Sequence, residues 1–99
     1  MAIQNQHPKP LKHKFTGIGE VKGYSFAMIG MTEKAFIYLV SGNGNNHYEV
    51  FKKTVNRRFA CISYPTAKAF GIWAWTYTKL ELAIKKYNEL NKDLLPVHH

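Results

Sequence analysis

Acidic residues are scarce in this chain. Six aspartates and glutamates stand against fourteen lysines and arginines, giving a formal net charge of +8 and a pI near 9.7. The only aspartate is Asp93, so an aspartate-centred catalytic or metal site has nothing to build on. Cysteine is nearly absent too. Cys61 stands alone, which excludes an internal disulfide and points to a reducing, intracellular compartment. No apolar run is long enough to span a bilayer, and "MAIQNQHPKPLKHK" holds no apolar core of signal-peptide length. The expected setting is the cytoplasm, with no membrane partner.

What is present suffices for one core. Ninety-nine residues make a single domain, and shares of 45% apolar and 14% aromatic residues argue against global disorder. The surplus of positive charge favours polyanionic partners: DNA, RNA, or an acidic protein surface.

Residues 1–14 are polar and basic, with Pro8 and Pro10 among them, and read as a flexible arm. A single domain is expected over 15–95, with 96–99 as a tail. From Val21 the pattern alternates. "KGYSFAMIG" sets Tyr24, Phe26 and Met28 on one side, "MTEK" turns, and "AFIYLV" is apolar on both sides, as a central strand is. "SGNGNN" carries Asn and Gly for the positive φ angles of a hairpin turn. A phosphate-loop reading fails there, since no lysine followed by Ser/Thr stands at the required spacing. "HYEVFKKTV" reads as a third strand, "FACISY" as a fourth and "IWAW" as a short fifth, with Trp73 and Trp75 on one face.

A helix closes the chain. Thr78 and Glu81 have capping-box spacing, and Tyr77 and Leu82 that of a hydrophobic staple. Leu80, Ala83, Ile84, Tyr87 and Leu90 form one apolar stripe, and Pro96 makes helix improbable beyond Leu95. The predicted fold is α+β: an antiparallel meander of four to five strands with one C-terminal α-helix packed on one face.

Catalytic residues are not expected. His47 and Glu49 share a strand face, but no second histidine or nucleophile accompanies them in sequence, and a strand-edge polar pair is the simpler account. Cys61, between Ala60 and Ile62, reads as a small core residue. His7, His13, His98 and His99 make no metal pattern, and no cofactor is expected.

The basic residues are better placed. Lys52, Lys53, Arg57 and Arg58 flank one turn in "FKKTVNRRF". Arginines there offer bidentate donors and lysines point charges to phosphate. Lys22 and Lys34 extend the set, as does Lys68, while Tyr48 and Trp73 are candidates for stacking on bases.

A strand, a basic turn, a strand and a helix opening "YTKLELAIKKY" resemble the APETALA-type plant DNA-binding domain and the arm-binding domains of phage integrases. The register rests on Tyr77, Thr78, Ala83 and Tyr87, with Arg57, Arg58, Phe59, Ala60 and Ile62 matching the basic turn and following strand, over about residues 48–90. The resemblance implies a three-stranded sheet entering the major groove, with Arg57 and Arg58 as contacts. The chain departs from that family in its additional N-terminal hairpin, its insertion at 64–69 and the lack of a glycine before the helix.

Two functions follow. One is a non-catalytic nucleic-acid-binding protein that uses the basic hairpin and an open sheet face. The other is an interaction module, an adaptor or inhibitor, acting as a symmetric homodimer on an acidic protein surface. The second is motivated by strands with two apolar faces and a single helix to cover one of them.

Overall fold

The computed structural model of the chain describes residues 8–18 and 21–92. Five antiparallel strands form the main sheet: β1 (Lys14–Thr16), β2 (Ser25–Met31), β3 (Ala35–Gly42), β4 (Asn45–Lys52) and β7 (Ala74–Tyr77), in the order β1-β2-β3-β4-β7. A separate two-stranded ribbon pairs β5 (Val55–Asn56) with β6 (Cys61–Ile62). One helix, α1 (Leu80–Leu90), packs on β3, β4 and β7. The fold is α+β, with the helix on one face of an antiparallel sheet.

β3 is central because its alternation is apolar on both sides. Phe36, Tyr38 and Val40 join Phe26, Phe51 and Ala74 in a core on the face away from the helix. Ile37 joins Val50 and Ala83 beneath α1. The β3–β4 hairpin turns at Asn43 and Gly44, both with positive φ (53° and 77°). That is the geometry of a two-residue primed turn, which matches the twist of the flanking strands.

The face away from the helix is not bare. Leu11, Ile62, Tyr64, Phe70 and Trp73 pack on its core, and Ala69, in a 3₁₀ turn at Ala67–Ala69, belongs to it. The chain between β6 and β7 thus covers what the helix does not. The surplus apolar face expected from sequence is occupied by the protein's own residues.

Several local expectations are corrected. "FACISY" is not a strand of the main sheet, because β7 takes the edge of β4, opposing Tyr48 with Tyr77 and Val50 with Trp75. Trp73 and Trp75 lie on opposite faces. Trp73 precedes the strand and packs edge-on to Phe51 at 6.4 Å, whereas Trp75 faces α1 beneath the Lys86 ammonium, 4.0 Å from the ring centroid. Cys61 is half-exposed in β6, opposite Asn56.

The capping box does not form either. Lys79, not Thr78, holds the N-cap position, without a side-chain hydrogen bond. Shifting the start by one residue takes Thr78 and Glu81 out of box register, and Leu82 stays 47% exposed. Tertiary contacts fix the helix instead. Buried Asn91 at its C-cap donates from Nδ2 to the Tyr87 carbonyl at 2.9 Å and accepts from the Thr32 hydroxyl. That hydroxyl also accepts the Lys34 and Ala35 amides at 3.1 Å, tying the helix end to the β2–β3 turn.

Residues 8–14 are bonded into the fold, although the sequence reads as a flexible arm there. The Lys9 amide donates to the Ala60 carbonyl at 2.8 Å and the Lys9 carbonyl accepts the Ile62 amide at 2.9 Å. Leu11 reaches the core, and Phe15 on β1 stacks on Phe26 at 4.6 Å. One apolar residue, Phe15, between Lys14 and Thr16 carries no strand periodicity, which is why β1 escapes a sequence reading. Residues 1–7 and the tail at 96–99 lie outside the described residues. Among the described residues no helix is long and apolar enough to cross a membrane.

Candidate nucleic-acid interface

The basic residues of "FKKTVNRRF" fall on two levels of one projection. Lys52 ends β4 opposite Ala35, and the Lys53 amide donates to the Lys34 carbonyl at 2.7 Å. Lys34, Lys52 and Lys53 line an open cleft of about 550 Å³ together with Glu33, Glu89, Val55 and Leu90. Glu89 is also paired with Lys86 at 3.6 Å, so two carboxylates face four ammonium groups and the base stays positive.

The tip differs. β5 and β6 carry the chain outward to Arg57, Arg58 and Phe59, all exposed, Phe59 by 66%. The turn is held by its own chemistry: the Asn56 side-chain oxygen accepts the Phe59 amide at 3.1 Å, and Ala60 takes a positive φ of 50°. An Asn at the first turn position commonly holds such a bend. The Arg58 guanidinium lies 5.3 Å from the Phe59 ring centroid, within cation–π range. Lys9, bonded along β6, stiffens the outer edge of the ribbon.

Other sequence candidates do not gather here. Lys22 lies in the β1–β2 turn, at the opposite end of β2 from Lys34. Seven residues of strand separate those ends, on the order of 20 Å at ~3.3 Å per residue. Lys68 is exposed in the 3₁₀ turn. Tyr48 is half-buried on the helix face beside Tyr77, and Trp73 is packed into the first core. Neither presents a free ring beside the hairpin. Phe59 is exposed there with Arg58 over its ring, and only its place in "NRRF" marks it in the sequence; an aromatic after a basic turn reads equally well as the first residue of a buried strand.

A second cluster was only half visible in sequence. Glu49, with a side chain 14% exposed, accepts from the Tyr64 hydroxyl at 2.6 Å and from His47 Nε2 at 3.0 Å. Cross-strand alternation sets His47 and Glu49 on the face away from α1, and the β6–β7 connection brings Tyr64 over them. Burial, then the Glu49 charge and the hydrogen bond to it, hold the Tyr64 phenol far above the ordinary tyrosine range. Burial alone pushes Tyr38 up to about 12, and its hydroxyl donates to the Lys12 carbonyl at 2.7 Å.

Compared with known proteins, the chain matches no family model, no curated protein and no solved structure.

Proposed function

We propose that this chain is a small, non-catalytic nucleic-acid-binding protein that grips a phosphate backbone with the β5–β6 hairpin. The observation that carries the reading is the braced tip, which holds two arginines and an exposed phenylalanine outward from the sheet. Arginine forks match phosphate oxygens, and a neighbouring aromatic face stacks on a base without regard to sequence. Lys52 and Lys53 add phosphate contacts at the base of the ribbon. The integrase-arm resemblance names the same Arg57 and Arg58, but as part of a helix-backed sheet. On an appended ribbon the contacts come from the tip.

Salt dependence tests this. With Lys52, Lys53, Arg57 and Arg58 on one phosphate each, log K falls with log salt at a slope of about −3.6 for duplex DNA or −2.8 for a single strand. Anisotropy of a labelled oligonucleotide should therefore show about 150-fold or 50-fold weakening over a fourfold rise in salt. Arg57→Glu with Arg58→Glu should at least halve the slope. Affinity indifferent to salt, or a slope unmoved by the double reversal, refutes the proposal.

The interaction-module reading retains one specific support: Leu80, Leu82 and Ile84 stand 40–47% exposed on α1. Its other motive, an uncovered sheet face, is gone. Sedimentation of a monomer at all accessible concentrations would remove the homodimer form of it.

A further inference from the structure

The sheet face turned away from α1 opens beside β1 into a cleft of about 900 Å³. Phe15, Phe26, Phe70 and Ile18 supply apolar lining, and Glu49, Tyr64 and Lys12 bring polar groups to it. A mostly apolar concavity of ~300–1,000 Å³ with a few convergent polar groups is the usual form of a small-ligand site.

Three features narrow the ligand. Partly exposed Phe15 and Phe70 line the cleft, and Phe15 is held in place by stacking on buried Phe26 at 4.6 Å, an aromatic wall that suits a flat ring. Glu49 receives one hydrogen bond at each oxygen, from Tyr64 and His47. An ionised carboxylate has about four acceptor positions, so about two remain for a ligand. Those positions only accept. A guanine base presents a ring N–H and an amine side by side, matching the two oxygens. Adenine, cytosine and uracil each place an acceptor beside their donor, which a carboxylate repels. Lys12, also in the lining, suits a nucleotide phosphate.

We propose that this cleft binds a guanine base, either as a mononucleotide or as an unpaired base of a nucleic-acid strand. The choice among flat heterocycles rests on the nucleic-acid reading; the geometry rests on different residues. The two places are joined in the chain: Lys9, bonded to the hairpin, leads to Lys12, and β6 leads to Tyr64.

Calorimetry on the full chain with GMP, IMP, AMP, CMP and UMP decides the matter. GMP should bind, and IMP, which lacks the amine, should bind about tenfold more weakly because one acceptor is left unpaired. Glu49→Gln should erase the preference for GMP over IMP. Ala67→Trp, at an exposed position lining the cleft, should block GMP while leaving the circular dichroism spectrum unchanged. Equal affinity for all five nucleotides, or no GMP binding by the folded protein, overturns the proposal. A short strand carrying one guanosine, compared with the same strand carrying inosine, separates the two sources of the base. Arg57→Glu with Arg58→Glu should weaken the strand and leave GMP unaffected, since the sites share no residues. GMP binding without strand binding refutes the hairpin alone, and strand binding without guanine preference refutes the cleft alone.

Discussion

Replacing Tyr64 with phenylalanine isolates one hydroxyl at the centre of the larger core. The Tyr64 ring meets Phe15, Phe26, Tyr38 and Phe51 edge-on at 4.9–5.4 Å, and phenylalanine keeps all four contacts. What is lost is the 2.6 Å hydrogen bond to Glu49, a side chain only 14% exposed. A hydrogen bond to a charged partner contributes about 1.5–3 kcal/mol. His47 still donates to the other oxygen, so the carboxylate is not orphaned, and a cost of about 2 kcal/mol is expected. For a domain of this size that lowers Tm by roughly 8–16 °C. Denaturant unfolding at neutral pH should show a lower midpoint with an unchanged m value. In a Glu49→Gln background the acceptor is neutral, and the same substitution should cost only about 1 kcal/mol. A cost below about 0.5 kcal/mol in the native background, or equal costs in both, would refute the charge-assisted account.

Other consequences are as direct. Asn56→Ala removes the acceptor for the Phe59 amide, and should weaken oligonucleotide binding while costing about 1 kcal/mol of stability, read by anisotropy and by urea titration. Ala83 is fully buried against Ile37 and Val50, so Ala83→Leu should overpack that smaller core and cost about 1–3 kcal/mol in thermal melts. In alkali, Tyr38 and Tyr64 hold their protons longer in the folded state than in the unfolded one. Their contribution is whole below the ordinary tyrosine pKa of ~10 and is lost as pH rises through the folded values, about 12 for Tyr38. Unfolding should therefore set in above about pH 10, with a late tyrosinate absorbance step that merges into it; complete ionisation of all six tyrosines in a still-folded protein would contradict the burial described.

Alternation and turn chemistry made much of this protein legible from its residues alone. β2 and β3 announce themselves by period-two patterning, Asn43-Gly44 by the positive φ it tolerates, and the helix by its apolar stripe, of which Ala83, Tyr87 and Leu90 pack on the sheet while Leu80 and Ile84 stand exposed. These signals are local, and the structure keeps them. What the sequence could not settle depends on which segment reaches a given edge or face first. β7 takes the edge of β4, so "FACISY" is diverted into a ribbon that lifts Arg57, Arg58 and Phe59 away from the sheet. The helix starts one residue past Thr78: the Lys79 carbonyl accepts the Ala83 amide, so Thr78 stands outside the first turn. Glu49 and Tyr64 stand fifteen residues apart, and no periodicity links them. Only the β6–β7 connection, folded over the sheet to bury its aromatic residues, closes that pair and shapes the cleft around it.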